Sequence, residues 1–338
     1  MQWPTWREAT THALYGRDGF YRRERASDHF RTSVHASPLF ARAIEALARD
    51  CKSRIVVDIG SGSGELLREL HRRESDLELV GVDLSPRPVD LPDSVRWTPT
   101  LVDLETTRTV EPPVLSRDDV LVVANEWLDD IPVDVVEVDD TGRPRVVHVD
   151  PLSGTEHLGE TPASDDLAWL DRWWPLDGAE PGTRAEVGRT RDLAWAATVR
   201  CVHQGVVVAI DYSHRRSDRP PIGTLAGYRA GRSVAPVPNG SCDITAHVAL
   251  DSCASAGIEA GATATLLTTQ RRALCALGID PTLPPRPRAT DDPTSYARAV
   301  SAATRAAELL DPAGLGGFGW LVQAVGRPLP DTLAKLDG

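Results

Sequence analysis

Four short runs of aliphatic and β-branched residues punctuate the chain, and polar residues interrupt or end them. They are Ile55-Val56-Val57-Asp58-Ile59, Leu79-Val80-Gly81-Val82 before Asp83, Val120-Leu121-Val122-Val123-Ala124 before Asn125-Glu126, and Val206-Val207-Val208-Ala209-Ile210 before Asp211. Apolar runs of this length, bounded by turn residues, predict strands buried on both faces, as in a parallel sheet. Around the first run the period changes to helical: Leu66, Leu67 and Leu70 follow it, and Phe40, Ile44 and Leu47 precede it. Ser37 and Pro38 supply an N-cap and a first-turn proline for the earlier of these helices. The alternation predicts an α/β fold, a mostly parallel sheet with helices on both faces.

Elsewhere the pattern changes again. Val133–Val138 alternates at period two, Asp139-Asp140-Thr141-Gly142 turns, and Arg145–Val149 returns, which predicts a β-hairpin. Residues 150–185 are acidic and rich in Pro and Gly, with a short Trp-bearing helix near Leu167–Trp174. A helix is expected over about 189–202. Residues 213–243 show no period and carry many Arg, Pro and Gly, so they are expected to form a long functional or disordered loop, with a lid over the site as the functional form. Beyond them the spacing predicts a helix at 246–256, a strand at 262–269, a helix at Gln270–Leu277, a Pro-rich linker at 281–293, a helix at 294–310 and a last strand at Trp320–Val325. The organisation that follows is an N-terminal helical segment at 1–50 covering the ligand site, a core made of 51–130 and 186–338, and an inserted hairpin-and-helix subdomain at 131–185.

The chemistry starts where the first run breaks into Gly60-Ser61-Gly62-Ser63-Gly64 and resumes as a helix. Glycines let backbone approach a ligand closely, and the helix turns its free N–H groups toward the same place. Asp83, at the end of the next strand, stands where a carboxylate grips a ribose diol. A nucleoside ligand follows. The dinucleotide fingerprint wants a third glycine where this chain has Glu65, which disfavours a nicotinamide-dependent oxidoreductase without removing it. G-x-G-x-G is similar instead to motif I of class I S-adenosylmethionine methyltransferases. Asp103, closing Thr100-Leu101-Val102-Asp103, and Asn125-Glu126 are expected to join Asp83 along one carboxyl edge of the sheet.

Composition narrows the partners. The 338 residues, 41% hydrophobic and 25% charged, suit a globular α/β core with insertions. A net charge of −12 disfavours phosphate-backbone binding, so nucleic acid is not expected, whereas a small molecule or a basic peptide is compatible. The five cysteines form no C-x-x-C pair, so no metal site is expected; Cys51, Cys201 and Cys275 read as small packed hydrophobes. No run is long enough to span a membrane, and the first residues lack a signal-peptide core, so the expected location is the cytoplasm.

An ordered series of segments resembles one family, the MidA-like methyltransferases, which include mitochondrial complex I assembly arginine methyltransferases. The series runs through Leu14–Tyr21, Phe30-Arg31-Thr32-Ser33, Ser37-Pro38-Leu39-Phe40, the glycine loop, Asn125–Val133, Asp211-Tyr212, Gly223-Thr224-Leu225, Asp243–Val248, Gln270 and Gly314–Phe318. The chain departs from the family's pattern at Val34 and His35, where Pro and Glu are usual, at Ser61 and Ser63 in the glycine loop, at Ser213, and at Gly231. The resemblance implies a Rossmann-like methyltransferase core that binds S-adenosyl-L-methionine through Thr32, Ser33, Ser37, Gly60, Ser61, Gly62, Gly64, Asp83, Leu84, Asp103, Leu104, Asn125 and Glu126. It implies methylation at nitrogen or oxygen of a protein or peptide, arginine foremost, and a homodimer is compatible with it. Moving the acceptor's proton calls for carboxylates or a histidine, and Glu126, Asp129, Glu186, Asp211 and His35 are the candidates. Two other readings stay open, a binding or assembly factor that keeps the fold without turnover, and the oxidoreductase.

Overall fold

The computed structural model describes residues 3–23, 32–73, 76–99, 102–103, 108–109, 117–285 and 288–336. Helices α1 (Trp6–Tyr15), α2 (Phe20–Arg23), α3 (Ser33–Ala36) and α4 (Pro38–Asp50) precede β1 (Ile55–Ile59), α5 (Glu65–Arg72), β2 (Glu78–Asp83) and β3 (Arg96–Pro99). Two-residue strands β4 (Val102–Asp103) and β5 (Arg108–Thr109) pair with each other, and β6 (Val120–Asn125) follows. Next come β7 (Asp134–Val138), β8 (Pro144–Val149), β9 (Glu156–Leu158), α6 (Ser164–Trp173), β10 (Arg184–Val187), α7 (Arg189–Cys201) and β11 (Gly205–Asp211). The last third holds β12 (Ser213–His214), β13 (Ala226–Arg229), β14 (Arg232–Val234), β15 (Asp243–Thr245), β16 (Val248–Ala249), α8 (Leu250–Glu259), β17 (Ala264–Thr269), α9 (Gln270–Ala276), α10 (Arg288–Asp291), α11 (Pro293–Leu309), β18 (Gly319–Val325) and α12 (Asp331–Ala334).

Seven strands make the central sheet in the order β17-β18-β11-β6-β1-β2-β3. β11, β6, β1, β2 and β3 run parallel, and β18 is antiparallel to both of its neighbours. The β11 side chains are buried throughout, as its unbroken apolar run requires. One face packs against Phe40, Ile44 and Leu47 of α4, Leu67 and Leu70 of α5, and Leu274 of α9. The other packs against Trp195 and Val199 of α7 and Leu250 and Cys253 of α8. Ile59 lies opposite Val82 and Ala124, and Asn125 opposite Ile210, so the strand ends carrying polar residues align along one edge.

A second, antiparallel sheet, β10-β7-β8-β9, contains the expected hairpin. Trp169 and Trp174 cover one side of it with Val136, Val138 and Val187, and Trp6 of α1 packs on Val135, Val147 and Val149. β10 pairs with β7 through Val187, so this sheet runs past the boundary drawn at 185.

Four expectations are corrected. Asp103 ends no strand of the large sheet: the third parallel strand beyond β1 and β2 is β3, and Asp103 sits on the separate β4. Residues 213–243 are not a patternless loop. They hold β12, β13 and β14, with β14-β13-β15 forming a three-stranded antiparallel sheet whose strands are too short to show a period. The helix expected at 246–256 begins at Leu250, because β16 pairs with β12 and draws Val248 and Ala249 into a strand. Cys275 is exposed, unlike Cys51 and Cys201. No helix among the described residues is long and apolar enough to cross a membrane, and no group of His, Cys, Asp or Glu among them is arranged to hold a metal.

Candidate active site

A cavity of about 560 Å³ lies at the carboxyl ends of β1, β2 and β6, completed by residues of α1, α2 and α3. Its β1–β2 side is the glycine loop. Gly60 takes φ 69°, and a Cβ there would sit 2.7 Å from Trp127 Cδ1, so the turn is closed against that indole. Gly62 takes φ 56° with only Glu65 Oε2 within 4 Å of an added Cβ, so its backbone faces open cavity. Ser61 Oγ donates to the Asp58 carbonyl (2.7 Å) and pins the loop to β1. Asp83 Oδ2 accepts from Gly62 N (2.8 Å) and Oδ1 from Ser85 N (2.7 Å), which fixes the carboxylate at the cavity wall. Burial still raises the Asp83 pKa against those bonds. Asp58, inside the β1 run, is pushed up to about 8 by burial.

The β6–β11 side is acidic. Glu126 has φ 52°, a left-handed conformation rare for a residue with a side chain and one that recurs where backbone is held for function. Its N–H donates to the Ile210 carbonyl (2.8 Å), and its Oε1 accepts from Asn125 Nδ2 (3.0 Å) and from Ser33 N of α3 (3.3 Å). Burial, then the neighbouring Asp129, raises it to about 7. Asn125 Oδ1 is buried with no partner among the described residues. Asp130 lines the cavity and accepts from Tyr21 O–H (2.6 Å), while Tyr15 O–H donates to the Asp130 carbonyl (2.9 Å). Behind them Asp211 Oδ2 accepts from Leu128 N (3.1 Å) and Asp129 N (3.2 Å), and Asp129 Oδ2 accepts from Thr245 Oγ1 (2.8 Å). Burial raises both carboxyls and repulsion from Asp129 raises Asp211 further, while the Thr245 hydrogen bond and the Arg191 charge offset part of the rise of Asp129.

Thr32, His35, Gly60, Ser61, Gly62, Asp83, Leu84, Asn125 and Glu126 all line the cavity. Ser33 and Ser37 are buried without lining it. Ser33 exchanges hydrogen bonds with Gln270 while its N–H holds Glu126, and Ser37 Oγ caps α4 at Leu39 N (3.1 Å). Gly64 caps α5. Asp129 and Asp211 form the layer behind the wall. Glu186 is elsewhere: on β10, it accepts from Thr224 N (2.6 Å) and Leu225 N (3.1 Å) and ties down the turn before β13. It is a structural acid. His35 places Nδ1 2.8 Å from Thr32 Oγ1 and Nε2 3.5 Å from Glu65 Oε1. Among the described residues that line the cavity, none comes from 213–243. Leu104 and the segment 28–31 lie outside the described residues, as does the side chain of Asp103.

The sequence reading missed Asp58, Tyr15, Tyr21, Trp127, Asp130 and Asp243. A lone carboxylate inside the apolar β1 run was a usable signal for Asp58. The tyrosines carried none, because their partners lie 109 to 222 residues away.

A family model described as "Putative S-adenosyl-L-methionine-dependent methyltransferase" matches residues 80–268. Among solved structures, a "likely methyl transferase" from Burkholderia thailandensis, bound to S-adenosyl-homocysteine, superposes with TM-score 0.75 at 25% identity, covering 99% of this chain and 91% of its own. A native structure from the same organism and superfamily gives TM-score 0.75 at 24% identity, with 98% and 90% covered. No protein of curated function matches the chain.

Proposed function

The chain belongs to the family of S-adenosyl-L-methionine-dependent methyltransferases, and within that chemistry we propose that it methylates a nitrogen of a protein or peptide, with arginine the leading acceptor. The cleft suits the cofactor. Gly62 leaves room where backbone must approach, Asp83 is fixed as a diol acceptor, and Asn125 Oδ1, without a partner among the described residues, is open to a donor. S-adenosyl-L-methionine, when bound, supplies a methyl group on a positively charged sulfur. The chain's residues do the rest. The glycine loop and Asp83 orient, Trp127 and the N-terminal helices exclude water, and Glu126 stands ready for a proton.

The observation that carries the acceptor class is the acidic side of the cleft. Glu126 and Asp130 line it, with Asp129, Asp211 and Asp243 buried behind. When nitrogen takes a methyl group, its lone pair makes the new N–C bond as the methyl's C–S bond breaks, the C–S pair stays on sulfur as the neutral thioether, and the nitrogen sheds a proton. A carboxylate both attracts the basic acceptor and takes that proton. A guanidinium stays charged at neutral pH, so it needs such partners most. Incubation with labelled cofactor and lysate of the chain's own host tests the reading. Label in protein, recovered as methylarginine after hydrolysis and lost in Glu126→Gln, is the expected result. Label confined to small molecules overturns the protein acceptor, and label on oxygen overturns the nitrogen.

A further inference from the structure

The Tyr21 hydroxyl lies 2.6 Å from Asp130 Oδ1 and 2.8 Å from Asp243 Oδ1. A phenol donates one hydrogen bond. Two such contacts among three oxygens therefore hold two protons, and one of the two carboxyls must carry the second. Tyr21 and Asp130 line the cavity, and Asp243 is buried behind them at the start of β15.

Among the described residues, the elements packed around the triad bring mainly acids and phenols, and the guanidiniums nearby donate to carbonyls while Arg191 still lowers Asp129 and Asp211 by its charge. From α1 comes Tyr15; from β2, Asp83; from the turn after β6, Glu126 and Asp129; from β11, Asp211. Arg22 Nε donates to the Tyr15 carbonyl and Arg23 to the Gly240 carbonyl. Arg191 of α7 is buried with its donors on the carbonyls of Asp129, Ile131, Ala246 and His247. Among the described residues no cation forms an ion pair with Asp130 or Asp243. Burial first, then repulsion from Asp129, keeps Asp130 well above the carboxylate range and brings Asp243 up to about 7.

We propose that Asp130, Tyr21 and Asp243 read the charge of whatever enters the cleft: they hold an extra shared proton until a cation arrives and release it then. The inference rests on the methyltransferase reading, because that reaction's cofactor and product differ by one methyl group and one positive charge. Positive charge in the cleft favours the ionised carboxylate and expels the proton to solvent, and the uncharged thioether of the product does not. The triad would thus be the specificity-determining group that favours loaded cofactor over spent product.

Calorimetry on the full chain, in two buffers of different ionisation enthalpy at about pH 7, counts the protons. S-adenosylmethionine is expected to release a substantial fraction of a proton and S-adenosylhomocysteine much less. Their affinity ratio should rise with pH in favour of the cation, toward about tenfold per pH unit for one proton. Asp243→Asn keeps an acceptor for Tyr21 but cannot ionise, so its ratio should flatten while S-adenosylhomocysteine binding persists. Tyr21→Phe removes the bridge, should also lose the excess release, and serves if Asp243→Asn does not fold. Equal proton counts for both ligands overturn the inference and leave the methyltransferase reading standing. Wild-type release in both variants removes the triad. Binding of neither ligand overturns the functional reading, and this inference with it.

Discussion

At the β1–β2 end of the cleft, Asp83 and Glu65 meet donors, although Asp58 beside them is pushed up to about 8 by burial. Asp83 is held by two backbone N–H groups, and Glu65 has His35 and Arg68 beside it. At the β6–β11 end, acids meet acids. Asp129 adjoins Asp211, Asp130 shares Tyr21 with Asp243, and the buried Arg191 is turned to carbonyls. The first arrangement fixes a carboxylate in place, which suits recognition of a neutral diol. The second leaves charge under-compensated, a costly state in a protein interior unless a ligand brings the missing charge. On the proposed function, the contrast would place binding at one end and proton handling at the other.

The sharpest way to break that division is Glu126→Gln. The amide keeps a carbonyl for Ser33 N and Asn125 Nδ2 and removes only the ionisable oxygen. Methyl transfer should fall by about 10²–10⁴-fold, the usual worth of a positioned acid or base, while calorimetric affinity for S-adenosylhomocysteine stays close to wild type. Comparable losses in both quantities would mean that Glu126 is a binding residue and that the two ends are not distinct.

A second test uses pH. Glu126 and Asp243 are each raised to about 7, so the folded chain keeps protons that the unfolded chain gives up near pH 4. Stability from these groups is full below that point and is lost as pH rises through about 7, at about 1.4 kcal/mol for each pH unit by which a carboxyl is raised. Thermal melts should therefore show a lower midpoint at about pH 8.5 than at about pH 5.5, with the difference reduced in Asp243→Asn. A flat profile would mean that the acidic end is better compensated than its geometry implies.

For the β1–β2 end the matching variant is Asp83→Ala. Loss of hydrogen bonds to a charged acceptor should weaken cofactor binding by about 2–3 kcal/mol. Unchanged calorimetric affinity would take Asp83 out of the ribose site.

The two ends also differ in how far the sequence reveals them. Gly60, Gly62 and Asp83 are joined by contacts spanning 21 residues, within one strand-helix-strand unit whose periods are plain. Glu126 and Asp211 were visible for the same reason, each closing an apolar run. Tyr21 meets Asp243 across 222 residues and Asp129 meets Thr245 across 116. No local pattern encodes such meetings, because tertiary packing makes them. Glu186 misled for the opposite reason: its position before a helix was legible, but its use by Thr224 and Leu225 was not. The short strands at 226–234 fell below the length at which a period of two can be recognised.

The smallest expected effect belongs to His35, where the chain departs from the family's usual Glu. The imidazole lies between Thr32 Oγ1 at 2.8 Å and Glu65 Oε1 at 3.5 Å, with 27% of its side chain accessible. Burial acts to raise the Glu65 carboxyl, yet the hydrogen bond and charge of His35 hold it below its ordinary value, with Arg68 adding to them. His35 thus links α3 to the first turn of α5, next to the glycine loop, through a pair that is partly screened by solvent. Such pairs contribute about 0–1 kcal/mol. His35→Ala should therefore change cofactor affinity by less than about fivefold, the readout being calorimetry at low and high salt. His35→Glu makes the stronger statement. It restores the family's residue but sets a second carboxylate against Glu65, and like charges at that range disfavour ionisation of one of them. It should bind cofactor more weakly than His35→Ala, and the deficit should shrink when Glu65→Gln is added. If His35→Glu instead binds more tightly than wild type, position 35 belongs with the acidic, cation-receiving end of the cleft, and the boundary between the two ends lies on the other side of α3.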